Sequence, residues 1–116
     1  MNHFIPLDTA KKMTLLYRIE KENILIPEQR GKDILPICET FEVAPFLSVL
    51  SQPGCVRIRI YYSMDPDKKI HAIVVGVNDK DEDMLPVSVI ETIDSNIIEE
   101  GIRCPTMCPP ASPLNS

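Results

Sequence analysis

Residues 54–78, GCVRIRIYYSMDPDKKIHAIVVGVN, decide the fold. Two runs rich in β-branched and aromatic residues flank the polar stretch Asp65-Pro66-Asp67-Lys68, which is the signature of a β-hairpin over about 55–78. With those four residues as the loop, Met64 stands opposite Lys69. Val56, Ile58, Ile60 and Tyr62 then face Val77, Val75, Ile73 and His71, giving one almost wholly apolar face. The other face carries Arg57, Arg59, Tyr61 and Ser63. Two strands alone are marginal, so this register requires another element to cover the apolar face. A charge at Ile60 is expected to prevent folding.

The cover is expected from upstream. Asp8 or Thr9 can cap a helix over about 9–22, in which Met13, Leu15, Leu16, Tyr17 and Ile19 sweep a broad arc. Asn23 is suited to closing it. Residues 1–7 form an apolar lead-in with the look of an edge strand. Ile37 to Val43 reads as a short extended piece. A second helix over about 45–51 starts with Pro45 in its first turn and buries Phe46, Leu47 and Leu50. Beyond the hairpin, Val87, Val89 and Ile93 suggest a third strand, and Ile97, Ile98 and Ile102 a short fourth. The tail, residues 103–116, holds Pro105, Pro109, Pro110 and Pro113 and is not expected to form a regular element. Packing of that tail along the body is expected from Ile102 to at least Cys108. The fold class is therefore α+β: one domain over 1–116, with an antiparallel sheet and both helices on one face.

Composition bounds the function. The chain has 116 residues, a net charge of −5, 44% hydrophobic and 25% charged residues, and no Trp. Between Asp79 and Glu100 the acids Asp79, Asp81, Glu82, Asp83, Glu91, Asp94, Glu99 and Glu100 are offset only by Lys80. This acidity argues against nucleic acid and against anionic membrane as partners. No secretory leader or membrane-spanning run is visible, so a cytoplasmic location is the expectation.

The words LPICETF, QPGCVRIRIYYSMD, VVGVN and RCPTMCPPASPLN resemble a group of small bacterial proteins. That group carries an IRIYYG-x-D/VxVGV hairpin and a C-terminal CPPxCPPxSPLN motif. Ser63 stands where the group often has Gly, and Thr106 where a second Pro is usual. The resemblance implies the hairpin fold and brings no catalytic residues.

Few constellations carry chemistry. Cys104 and Cys108 are close enough in sequence to share a metal ion, to form a disulfide or redox pair, or to be structural thiols. A zinc site would need two more ligands from Cys38, Cys55, His3 or His71, none at a recognised spacing, so structural thiols are the favoured reading. Cys38 and Cys55 sit beside Ile37 and Val56 as small hydrophobes. A Cys–His catalytic pair lacks an orienting third group. The stretch 78–84 fails as a calcium loop, because Met84 stands where Gly is needed and Ile90 where a bidentate Glu is needed. Glu39 and Glu42 form an ordinary surface spacing. Arg57, Arg59 and Tyr61 can contact an anion or partner, but pairing with the acids of 79–100 is the simpler expectation. No nucleotide-binding glycine motif is present. A non-enzymatic module that binds a protein or peptide, without a cofactor, is the leading reading; a thiol-dependent role for Cys104 and Cys108 is the alternative.

Overall fold

The computed structural model describes residues 2–86 and 96–116. The expected third strand at 87–93 lies outside them. The elements in chain order are α1 (Leu7–Glu20), β1 (Cys38–Thr40), α2 (Val43–Leu50), β2 (Arg57–Met64), β3 (Ile70–Val77), β4 (Asp83–Met84) and β5 (Ile102–Cys104). The class is α+β, built around the β2–β3 hairpin. Strands β2, β3 and β4 form one antiparallel sheet in that order, and β1 and β5 form a second.

The hairpin register differs from the expected one by a single residue. Ile60 pairs with Val74 and Met64 with Ile70, each one residue further along β3 than expected. The turn chemistry explains this. Asp65 accepts the Lys68 amide at 2.9 Å, and Lys68 then adopts a left-handed backbone with φ 67°. The chain can therefore close with Asp65 opposite Lys69, whose carbonyl accepts the Asp65 amide at 3.0 Å. A turn followed by one left-handed residue is a standard three-residue hairpin loop. The Asp65 side chain braces it by accepting the amides of Asp67 and Lys69.

The slip rearranges the partners on both faces. Arg57, Arg59, Tyr61 and Ser63 now lie opposite Val77, Val75, Ile73 and His71, while Ile58, Ile60 and Tyr62 lie opposite Gly76, Val74 and Ala72. The expected burial of Ile58, Ile60, Ile73 and Val75 together is therefore wrong. Val75 is buried and Ile73 partly so, but Ile58 and Ile60 on the outer strand are exposed.

Strand β3 is the centre of the molecule. One edge is taken by β2. The other is satisfied piecemeal, since the amides of Ile70, Ala72 and Val74 donate to the Ile34 carbonyl, the Glu39 carboxylate and the Ile98 carbonyl at 2.8, 2.9 and 2.8 Å. Gly76 pairs with Met84 of β4. Ile98, in the region expected to give a fourth strand, contributes an isolated bridge to Val74, and Ile102–Cys104 pairs with β1.

Helix α2 begins at Val43, a little before the expected start, and packs on β3 where the sheet has no side chain. A Cβ on Gly76 would lie 3.0 Å from Cys55 Sγ and 3.3 Å from Val49 Cγ1, so glycine permits the close approach. Val49, Val74 and Ile98 form the core cluster with Phe41 and Phe46 against it. The two rings meet edge-on at 5.7 Å. Leu47 and Leu50, expected to be buried, are exposed.

Helix α1 does not cover the hairpin. It starts at Leu7 with Pro6 as its cap residue and has no buried residue. Met13, Leu15, Leu16 and Ile19 remain exposed. The helix is tied to the body by polar groups: Tyr17 Oη donates to the Pro36 carbonyl at 2.6 Å and Lys21 Nζ to the Leu35 carbonyl at 3.2 Å. Arg18 holds the carbonyls of Leu114 and Ser116. Residues 2–6 are exposed and belong to no strand.

Candidate functional site

The outer strand β2 presents the most distinctive surface. Antiparallel strands alternate between residues that bond to their neighbour and residues that turn their amides away. The amides of Ile70, Ala72 and Val74 point away from β2, so their partners Met64, Tyr62 and Ile60 turn their backbone groups outward, toward no other strand among the described residues. These three residues and Ile58, on the same face of the strand, are exposed: Ile58 44%, Ile60 50%, Tyr62 82% and Met64 61%. An open edge and an apolar row therefore coincide on one strand.

The opposite side of β2 is electrostatically closed. Asn78 organises the turn after β3 by accepting the amides of Lys80 and Glu82 at 2.9 and 3.0 Å. That turn swings the acids back over β2. Arg59 donates to Asp83 Oδ1 and to Asp81 Oδ1, both at 2.6 Å, and Tyr61 donates its hydroxyl to Asp83. The Tyr61 hydroxyl and the Arg59 guanidinium hold the Asp83 carboxyl below its ordinary range, while the same bond to Asp83 pushes the Tyr61 phenol up. Arg57 lies farther out, 3.8 Å from Asp81. Arg57, Arg59 and Tyr61 are thus brought together, with Arg59 and Tyr61 engaged by internal carboxylates.

A second group of residues gathers at the β1–β5 pair. Cys104 is bonded to Cys108 in a disulfide with a Cα–Cα distance of 4.5 Å, where the sequence favoured structural thiols. Cys38 pairs with Cys104 across the two strands and is a free, partly buried thiol. Cys55 is free also, with its sulfur 3.4 Å from the Arg57 carbonyl. The tail is anchored at its start by the buried Arg103 and Cys104 and at its end by the bonds of Arg18 to Leu114 and Ser116, while Pro105 to Ala111 are exposed. Among the described residues, no three His, Cys, Asp or Glu side chains converge as a metal site.

Arg103 escaped the sequence reading. It is 6% exposed and donates to the carbonyls of Ile70, Asp33 and Ile34 at 3.2, 2.8 and 3.2 Å. A charged side chain satisfied by three carbonyls holds β5, the start of β3 and the chain before β1 together. Its one signal in the sequence is its place between Ile102 and Cys104. His71, expected opposite Tyr62, pairs with Ser63, and its Nε2 lies 2.8 Å from Asp65 Oδ2. That contact, with the Lys69 and Asp67 amides, depresses the Asp65 carboxyl. Glu39 Oε1 accepts from Ala72, whereas Oε2 is buried without a hydrogen-bond partner. Glu42 is exposed. No helix among the described residues is long and apolar enough to cross a membrane. No family model, curated protein or solved structure matches the chain.

Proposed function

We propose that the chain is a non-enzymatic interaction module that takes up an extended segment of a partner protein along the outer edge of β2. The observation that carries this reading is the coincidence, on one strand, of a hydrogen-bonding edge that no other strand among the described residues covers with the exposed row Ile58, Ile60, Tyr62 and Met64. An open apolar edge invites pairing and is ordinarily blunted by charges, prolines or a covering element. Strand addition supplies affinity through main-chain bonds and specificity through alternate side chains. Arg59 is already neutralised by Asp81 and Asp83, whereas Arg57 is held loosely. The matching segment is therefore one of alternating apolar residues with an acid near the Arg57 end.

Selection of binders from displayed random peptides tests this. Selected peptides are expected to slow hydrogen exchange at the amides of Ile60, Tyr62 and Met64 and to lose binding to Ile60→Lys. Binders that protect other strands, or that bind Ile60→Lys unchanged, would refute the assignment.

A second reading, a redox role for Cys104 and Cys108, is favoured by the disulfide that joins them. A sulfur bonded to sulfur has no thiolate to offer a metal, so this bond supports redox over metal chemistry.

A further inference from the structure

We propose that Cys38, Cys104 and Cys108 form an intramolecular thiol–disulfide exchange relay, in which the free thiol of Cys38 takes over Cys104 and releases Cys108 as an exposed thiol. The inference rests on the redox reading of Cys104 and Cys108 and is independent of strand docking at β2.

The geometry comes from the strand register. Cys38 and Cys104 are directly paired across the antiparallel β1–β5 ladder. Residues so paired carry their side chains on the same face, with Cα atoms about 4.5–5.5 Å apart. That interval falls inside the span a disulfide bridges, about 4.4–6.8 Å between Cα atoms. Cys108 already bridges to Cys104 over a Cα–Cα distance of 4.5 Å. One buried sulfur thus has two thiol partners within bridging reach, one of them across a ladder and one on an exposed tail. Cys55 lies elsewhere, against Gly76 under α2, and takes no part.

The step balances within the chain. Cys38 gives its proton to solvent, and its thiolate attacks Cys104 Sγ. The Cys38–Cys104 bond forms as the Cys104–Cys108 bond breaks, and Cys108 leaves as a thiolate that is reprotonated by solvent. One disulfide and one thiol stand on each side, so neither oxidant nor reductant is consumed. The two forms differ in what they fasten. The Cys104–Cys108 bond closes a short loop with a sequence separation of 4 and ties nothing to β1. The Cys38–Cys104 bond would staple β1 to β5 and leave the tail beyond Cys104 held only by contacts such as those of Arg18 with Leu114 and Ser116. Cys108 then presents a solvent-facing thiol able to exchange with a disulfide on another molecule.

The test uses the full chain carrying Cys55→Ser, oxidised with diamide and held folded at about pH 8, where thiolate is available. Iodoacetamide is added over time, and peptides are mapped by mass spectrometry without reduction. Label on Cys108, together with a Cys38–Cys104 linked peptide, is expected to accumulate in the folded protein. Cys38→Ser should bring Cys108 labelling to background, and Cys108→Ser should form the Cys38–Cys104 bond on oxidation. A Cys104–Cys108 bond that persists while only Cys38 is labelled overturns the relay and leaves the redox reading standing. So does a Cys108→Ser variant in which Cys38 and Cys104 remain thiols. Failure of the Cys104–Cys108 bond to form at all overturns both.

Discussion

Replacing Arg103 by Met keeps most of the side-chain volume and deletes the charged fork that spans three segments. The fork donates to one carbonyl in a buried residue, Ile34, and to two in partly buried residues, Asp33 and Ile70. Bonds from a charged donor contribute about 1.5–3 kcal/mol each, and a buried carbonyl left without a partner keeps its desolvation cost. The Ile34 carbonyl keeps the Ile70 amide, and water can reach Asp33 and Ile70 in part, so the loss is spread over three weakened acceptors and none is left fully unpaired. Relief from burying a guanidinium returns some of the loss, and the net expectation is a destabilisation of about 2–4 kcal/mol. Urea denaturation followed by circular dichroism measures it, with hydrogen exchange locating the effect in β1, β5 and the first residues of β3. Arg103→Lys should recover only part, since an ammonium cannot reproduce the planar fork. A shift under about 1 kcal/mol for Arg103→Met, or a loss spread evenly over β2 and α2, would refute the clamp.

Three further outcomes follow from the hairpin. Ile60→Asp should leave the protein folded and cost about 1 kcal/mol, because half of the side chain is already in water, and a thermal melt that shows no cooperative transition would contradict the observed register. Lys68→Gly should raise stability by about 0.5–1 kcal/mol in chemical denaturation, since the left-handed backbone at this position suits glycine; a loss would mean that the loop closes differently. Asp83 and Asp65 are held below their ordinary range, so their contribution is complete above the unfolded carboxyl value and is lost as pH falls through the lower folded values. Stability should therefore decline below about pH 4. Tyr61→Phe combined with Arg59→Gln should flatten part of that decline in a pH series of urea melts, and an unchanged slope would dismiss the Asp83 contacts as its source.

Much of the architecture was legible because it is written in local patterns. The apolar periodicity of 9–22, the proline-led start near residue 45 and the alternating runs around Asp65-Pro66 mark α1, α2 and the hairpin to within a few residues. The register escaped because it depends on one backbone angle at Lys68, and a left-handed lysine leaves no trace in the sequence. Pairing every apolar residue of β2 with one on β3 looked compelling only because α1 was expected to cover them. That helix is instead held by Tyr17, Arg18 and Lys21, and the core is filled by Val49 and Ile98. Of the candidate residues, the engagement of Arg59 by the acidic turn was foreseeable from charge alone. The pairing of Cys38 with Cys104 was not, since nothing in the spacing brings residues so far apart in sequence to one ladder.

The piecemeal edge of β3 constrains the order in which the chain can be closed. The β2–β3 hairpin needs only its own turn and can form early, because its contacts are local. Ile34 and Glu39 precede it in the chain but have no amide to meet until Ile70 and Ala72 exist. Ile98 and Arg103 come later still, and each must find a strand already half occupied. During synthesis the N-terminal third would therefore wait, unsupported, for a strand more than thirty residues downstream, and the last lock would arrive only with β5. A nascent chain halted before Ile98 should leave the Val74 amide open to exchange, even with the hairpin in place.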